Sequence, residues 1–123
     1  MIPKQTRLPR CCRLQDADSY SRVFKRPNRS ADNFFTILWR RNNLEQGRLG
    51  LAIAKKNIRR AVDRNLVKRV IRESFRHHRE SLAGIDTVVL SRRGLPLFNK
   101  QELRASLDRH WERVARKLKT GAD

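Results

Sequence analysis

Ten cationic side chains crowd residues 55–79, where the only acids are Asp63 and Glu73, so this segment carries a net charge of +8. Like charges three or four residues apart on a helix repel one another. Phosphate groups relieve that repulsion through their opposite charge. Each cation that contacts a phosphate also releases a condensed counterion, which favours binding. The segment is therefore predicted to bind a phosphate backbone, since a face that only meets solvent would carry more acids at helical spacing.

Two other functions of a basic helix fit this segment less well. A DNA recognition helix needs a compact helix-turn-helix spacing, and the sequence shows none. A membrane-surface helix favours Trp or Phe on its apolar side and more lysine, whereas the apolar residues between positions 61 and 71 are Val, Leu and Ile. A structured nucleic acid is the partner that the residues favour, although a DNA-binding regulator stays open as an alternative class.

Groups suited to protein-based catalysis are sparse. The twelve acids are scattered, and His77, His78 and His110 are the only histidines. His77 and His78 are neighbours on a helix, so their side chains point about 100° apart and do not converge on one metal ion. We expect all three imidazoles at the surface or partly packed, and we assign no catalytic and no metal-binding residue. Cys11 and Cys12 are expected to be free thiols, because two cysteines are too few for a zinc site.

Overall composition supports a polyanionic partner. The chain has 123 residues, enough for one domain, with a formal net charge of +18 and a pI of about 11.6. Arginine exceeds lysine by 22 to 8, and the guanidinium group suits phosphate and base recognition better than an ammonium does. No apolar run is long enough to span a membrane and no signal peptide is visible, so we expect an intracellular, cytoplasmic protein.

Periodicity predicts the elements that position these side chains. A short helix is expected over 16–24, with Tyr20 and Phe24 on one face, followed by a polar connection over 25–32. Strands are expected over 34–40, 48–54 and 86–93, and helices over 61–80 and 100–118. The second strand has small residues on one side, Gly50, Ala52 and Ala54, which let another group approach its backbone. The last helix carries one apolar stripe, formed by Leu103, Leu107, Trp111, Val114 and Leu118.

The order of these elements predicts an α+β sandwich, with helices packed on a small mixed sheet. The second and third strands are expected to pair in parallel, because a helix separates them. On the helix 61–80 we expect Val62, Leu66, Val67, Val70 and Ile71 to pack on the sheet and the cations to face outward. Residues 1–13 are predicted to form a basic N-terminal arm, and residues 14–120 a single RNA-binding domain.

The segment LGLAIAKKNIRRAVDRNLVKRVIRESFR, residues 49–76, resembles the signature region of the bacterial ribonuclease P protein component. In that family a strand ends in a Lys-Lys pair and is followed by Arg-Asn-x-x-Lys-Arg-x-x-Arg on a helix. The matching residues here are Lys55, Lys56, Arg64, Asn65, Lys68, Arg69 and Arg72. The first helix and the last strand agree in order and spacing, so the resemblance covers nearly the whole chain.

The resemblance implies a left-handed β-α-β crossover and a subunit that binds a catalytic RNA to remove the 5′ leader of precursor tRNA. The partners would be ribonuclease P RNA and precursor tRNA, with no protein partner. Hydrolysis would be carried by the RNA with Mg²⁺, and the protein itself would bind no cofactor. Tyr20 and Phe24 would bind the leader. The residues expected to bind RNA are Lys55, Lys56, Asn57, Arg59, Arg60, Arg64, Asn65, Lys68, Arg69, Arg72 and Arg76.

One position departs from the family pattern. The usual Arg-Asn-Arg reads Arg64-Asn65-Leu66 here, which puts one RNA contact in doubt. A ribosome-associated structural RNA-binding protein is the alternative function, since such proteins are equally rich in arginine. An aromatic pair suited to stacking on single-stranded bases distinguishes the two, because a purely structural binder does not need it.

Overall fold

The computed structural model describes residues 8, 12–97 and 99–121, so most of the predicted N-terminal arm, with Cys11, lies outside the described residues. Three helices and four strands follow one another along the chain. They are α1 (Ala17–Lys25), β1 (Asn28–Ala31), β2 (Phe35–Arg41), β3 (Arg48–Ala52), α2 (Ala61–His77), β4 (Ile85–Ser91) and α3 (Lys100–Lys119). The predicted α+β class is confirmed.

The four strands form one mixed sheet in the order β1-β2-β4-β3. β2 pairs antiparallel with both β1 and β4, whereas β3 pairs in parallel with β4. The parallel pairing across α2 was predicted from the intervening helix and is confirmed. The handedness of this crossover stays a prediction that follows from the resemblance.

Helices pack on both faces of the sheet, α2 and α3 on one and α1 on the other. Phe35, Ile37 and Trp39 point to the face covered by α2 and α3, where Phe75 and Trp111 pack edge to face with ring centroids 5.6 Å apart. The stripe predicted for α3 is confirmed, since its members are buried apart from the half-buried Leu118. Asn99 caps that helix, with its side-chain oxygen accepting from the amide of Glu102 at 3.1 Å.

The opposite face holds a smaller cluster beneath α1. Val23 of α1 packs there with Leu14, Leu38 and Val88. Among the described residues, α1 is therefore the one helix on this face, and no other described helix covers the sheet surface beside it.

Two local predictions were wrong. Residues 28–31 are a strand rather than part of a polar connection, because β2 supplies a pairing edge from Asn28↔Trp39 to Ala31↔Thr36. The buried side of α2 is also rotated from the predicted one. Val62 is 60% exposed and Phe75 is fully buried, since the sheet lies against the central and C-terminal turns of the helix and not against its first turn.

The described part of the N-terminal segment belongs to the domain. Leu8 and Cys12 are buried in the main core, and Arg13 forms a parallel bridge with Leu49 at the outer edge of β3. The amide of Leu14 donates to the carbonyl of Leu49 at 2.9 Å. The predicted boundary at residue 13 therefore needs correction, because these residues cover a strand edge and add apolar contacts.

His110 contradicts the expectation of a surface or partly packed imidazole, since it is 1% exposed. Its Nδ1 lies 2.7 Å from the hydroxyl of Ser30, and its Nε2 lies 3.2 Å from the Asp32 carboxylate without good hydrogen-bond alignment. Arg113 also donates to the Ser30 hydroxyl, at 2.8 Å. Ser30 is 5% exposed, so no substrate carbonyl reaches this Ser-His-Asp arrangement, which instead holds β1 against α3.

Candidate RNA interface

α2 and the turn before it present most of the predicted cations to solvent. Lys55, Lys56, Arg59 and Arg60 are exposed before the helix begins. Within the helix, the exposed residues of the predicted set are Asn65, Arg69 and Arg72, while Arg64, Lys68 and Arg76 are half-buried. Among the described residues, one ion pair involves this group: it joins Arg60 to Asp63 at 3.9 Å, a weak contact at an exposed site. The surface therefore keeps nearly all of its positive charge for a partner.

Two of the predicted RNA-binding residues also hold the turn in place. Arg64 Nη1 donates to the carbonyls of Ile58 and Arg59 at 2.9 and 2.8 Å. The side-chain amide of Asn57 donates to the carbonyl of Ser91 at 2.9 Å. These bonds tie the turn to α2 and to β4, so both residues orient the neighbouring cations whether or not they touch RNA themselves.

Arg72 connects the basic helix to the aromatic side chains of α1. Partial burial lowers the pKa of Arg72 below its usual value, and the positive charge of Arg13 lowers it further, while Tyr20 acts in the opposite direction. The charges of Arg13 and Tyr20 therefore both act on Arg72. The predicted phosphate-binding face and the predicted aromatic site are thus neighbouring parts of one surface.

Tyr20 lies over the small side of β3, as the run of small residues there allowed. A Cβ atom on Gly50 would lie 2.7 Å from Cε1 of the Tyr20 ring, so only glycine permits this approach. The amide of Leu51, at the outer edge of the sheet, donates to the Tyr20 hydroxyl at 3.2 Å. Tyr20 is therefore partly a structural residue, whereas Phe24, one turn later, is 45% exposed.

A cationic cavity lies on the part of this sheet face that α1 leaves open. Its floor includes Thr36, which pairs with Leu90, and Leu90 packs in the same cluster as Tyr20. The cavity has a volume of about 730 Å³ and no acid in its lining. Its lining residues are Arg29, Ala31, Asn33, Thr36, Lys56, Asn57, Ser91, Arg92 and Arg93.

Sequence reasoning included Lys56 and Asn57 of this lining but missed Arg29, Arg92 and Arg93. Arg92 and Arg93 directly follow the last strand, and that position was the available signal for a site at the strand end. For Arg29 the sequence held no such signal, because this residue lies in β1, the strand that the residue pattern did not predict. Arg92 is itself held in place, since its Nη1 donates to the carbonyl of Asp32 at 3.1 Å.

The buried carboxylates serve internal contacts. Asp86 is 2% exposed and accepts from Nε and Nη2 of Arg48 at 2.8 and 2.7 Å, and from the Asn42 amide at 2.9 Å. Within residues 8, 12–97 and 99–121 no three His, Cys, Asp or Glu side chains are grouped so that they could hold a metal ion. Over the same residues, no helix combines the length and apolarity needed to cross a bilayer.

Comparison with known proteins adds independent evidence. The family model described as Ribonuclease P matches residues 8–115. The ribonuclease P protein component of Thioalkalivibrio sulfidiphilus is 45% identical over 107 residues, covering 87% of this chain and 89% of that protein. The protein of the same name from Pseudomonas aeruginosa is 45% identical over 105 residues, covering 85% of this chain and 78% of that one.

Solved structures agree with the sequence comparisons. The RNase P protein of Staphylococcus aureus superposes with a TM-score of 0.75 at 28% identity, covering 85% of this chain and 94% of that one. The RNase P protein of Thermotoga maritima, solved with 1-(4-fluorophenyl)-2-thiourea, gives a TM-score of 0.60 at 28% identity and covers 87% of this chain and 94% of that one.

Proposed function

The chain belongs to the ribonuclease P protein family, and on that premise we propose that it has two contiguous RNA-binding surfaces with different ligands. The basic surface of α2 and its preceding turn binds the ribonuclease P RNA. The groove beside α1 binds the single-stranded 5′ leader of precursor tRNA. Family membership supports this role over the ribosome-associated and DNA-binding alternatives. We propose a cytoplasmic location as well, since that is where the proposed tRNA processing would take place.

Binding of the RNA subunit by α2 is supported by positive charges that no described acidic side chain neutralises. Arg69 and Arg72 are exposed and make no ion pair with any described residue. Binding of either cation to a phosphate costs little free energy, because no existing ion pair is broken. Release of counterions makes this binding more favourable. Asn57 and Arg64 restrict the turn before the helix, so its cations are held in place before RNA arrives.

Leader binding is supported by one observation: a cationic groove with no acid among its described lining residues lies on the sheet face that α1 covers in part, and Phe24 of α1 is half-exposed. Single strands bind to surfaces that combine a positively charged groove with aromatic rings on which bases stack. Phe24 offers such a ring, and Arg29, Lys56, Arg92 and Arg93 offer cations for the phosphates. We therefore add Arg29, Arg92 and Arg93 to the predicted leader-binding pair of Tyr20 and Phe24.

For the chemistry, we propose that hydrolysis is carried by the RNA subunit with Mg²⁺ and that the protein positions substrate. This is supported by the internal contacts of two carboxylates, the buried Asp86 and the half-buried Asp32. Asp86 is neutralised by Arg48, and Asp32 accepts from the amides of Phe34 and Phe35 at 2.8 and 2.9 Å. Neither is placed to hold a hydrated magnesium ion beside the basic surface.

Reconstitution tests this proposal. Purified protein is added to ribonuclease P RNA and precursor tRNA at a magnesium concentration too low for the RNA alone. We expect 5′ cleavage at the mature end only when protein and RNA are both present. Site-specific cleavage by the protein without RNA would contradict the assignment of the chemistry, and absence of any stimulation would contradict the proposed function.

A further inference from the structure

A second concave surface lies between α2 and α3, away from the leader groove. It has a volume of about 380 Å³, within the range of roughly 300–1,000 Å³ typical of small-ligand sites. Its lining comes only from the two helices: Leu66, Arg69, Val70, Glu73, Lys100, Gln101, Arg104, Ala105 and Asp108. We call it the α2–α3 groove.

The groove has an apolar floor on an otherwise cationic helix. Leu66 and Val70 lie one turn apart in it, and Ala105 is exposed on the α3 side. Val62, one turn before Leu66, extends the apolar strip and is 60% exposed. Leu66 also stands where the family pattern has arginine. An apolar strip of this kind finds no match in a phosphate backbone, so it points to a different part of the RNA.

The charged groups around this floor leave a net positive rim. Glu73 lies 3.7 Å from Arg104, and Asp108 is hydrogen-bonded by Ser74 at 3.0 Å and lies 3.2 Å from His78 Nε2. Both acids of the lining therefore have partners of their own. Arg69 and Lys100 make no ion pair with a described residue, so two cations stand at the groove without neutralisation.

We propose that the α2–α3 groove receives an unpaired, extruded nucleobase of the RNA subunit. RNA loops present such bases, which stack on aromatic rings or guanidinium planes while their edges form hydrogen bonds, and extruded bases also pack against apolar side chains. Leu66, Val70 and Ala105 supply the apolar contact, Arg69 supplies a guanidinium plane, and the Gln101 amide can pair with a base edge. The flanking phosphates meet the positive rim. This inference rests on the proposed function, because it requires α2 to face the RNA subunit.

The test compares two substitutions at one exposed position. Ala105→Phe fills the groove, whereas Ala105→Ser leaves it open and serves as the matched control. The holoenzyme RNA is probed with reagents that modify unpaired base edges and, separately, with hydroxyl radicals that cut its backbone. Wild type and Ala105→Ser should protect the same base. Ala105→Phe should expose that base to the reagent and weaken RNA binding, because the base loses its contacts with Leu66, Val70 and Arg69.

A second variant keeps the test decisive if Ala105→Phe melts at a lower temperature. Arg69→Lys preserves the charge but removes the guanidinium plane, so it should lose base protection while the salt dependence of binding stays unchanged. Unchanged base protection and affinity in both variants would overturn the nucleobase site. A backbone footprint without any groove-dependent base would also overturn it while leaving the proposed function intact. No footprint at all with wild type would instead contradict RNA binding by α2.

Discussion

The ring of Tyr20 lies against the backbone of Gly50, with its hydroxyl accepting a hydrogen bond from the Leu51 amide at 3.2 Å. This contact attaches α1 to the outer strand of the sheet, so it fixes the helix that also carries Phe24. Tyr20 thus has a structural role besides the leader contact that we propose for it.

Gly50→Ala should uncouple these roles. Its Cβ would lie 2.7 Å from Cε1 of Tyr20, and the ring, being the far end of a movable side chain, should swing away. We expect a stability cost of about 1–3 kcal/mol, typical of added bulk in a packed site. Precursor tRNA should lose affinity for the holoenzyme, and mature tRNA should not. Equal affinity of the variant and wild type for precursor would show that the ring position does not matter for the leader.

Phe24→Ala should affect leader binding more than folding. Phe24 is 45% exposed, so the loss of its buried part should cost about 1 kcal/mol of stability. Loss of one stacked base should weaken precursor binding by roughly 5- to 150-fold, from about 1–3 kcal/mol per base. Mature tRNA should bind as before.

Phe75→Ala is the contrasting variant for Phe24→Ala, because Phe75 is fully buried. It should cost about 3–5 kcal/mol of stability and reduce binding of both ligands in parallel with unfolding. Thermal melting and paired affinity measurements separate the two patterns. Parallel losses for Phe24→Ala in a folded sample would identify Phe24 as a packing residue.

The basic helix should control the salt dependence of RNA binding. Replacing Lys68, Arg69 and Arg72 together by Ala should lower the log–log salt slope for the RNA subunit by roughly two to three units, one for each lost phosphate contact. Arg64 is left unchanged, because it holds the carbonyls of Ile58 and Arg59.

The control for this triple variant removes the same charge elsewhere. Arg116, Lys117 and Lys119 are exposed in the last turn of α3. Their replacement by Ala should leave the slope close to that of wild type. If both triple variants lower the slope equally, net charge rather than the α2 surface determines binding.

Stability should fall in mild acid because of His110. Burial lowers the pKa of His110 below its ordinary 6.5, and the Asp32 carboxylate offsets only part of this effect. The unfolded chain therefore takes up a proton below about pH 6.5 while the folded protein does not, so folding free energy is lost as pH falls from there toward the folded pKa. The slope for one proton is at most about 1.4 kcal/mol per pH unit.

Urea unfolding at a series of pH values between 8 and 5 checks this prediction. His110→Gln should flatten the dependence, and His77→Gln, at an exposed position, should not. A wild-type stability independent of pH over this range would contradict the predicted role of His110.

A second loss should follow at lower pH because of Asp32. Burial raises the pKa of its carboxyl, but hydrogen bonds from Ser106 and from the amides of Phe35 and Phe34 outweigh burial and lower it from 3.8 to about 2. A lowered carboxyl pKa contributes stability above pH 3.8 that is lost as pH falls toward 2. Asp32→Asn should remove this acid limb, which calorimetry between pH 4 and 2 would detect.

The sequence by itself determined the features that depend on local repetition. The central strands and the apolar stripe of α3 follow from residue spacing, because side-chain period is a property of the element alone. The one-sided charge of α2 and the small side of β3 at Gly50 were also readable. These features were sufficient to predict the α+β class and the partner class.

Only the tertiary structure decided the features that depend on distant segments. β1 is a strand because β2 offers it an edge. Helical spacing shows which residues share a face of α2 but not which face meets the sheet. Only the packing of α2 on the sheet therefore determined that Val62 is exposed and Phe75 is buried. His110 is buried by Ser30, 80 residues earlier in the chain. Residue spacing also did not distinguish Arg48, which neutralises Asp86, from the arginines that we propose bind RNA. In each case the contacting residue is distant in the chain and becomes a neighbour only in the folded protein. No local pattern encodes contacts between residues so far apart.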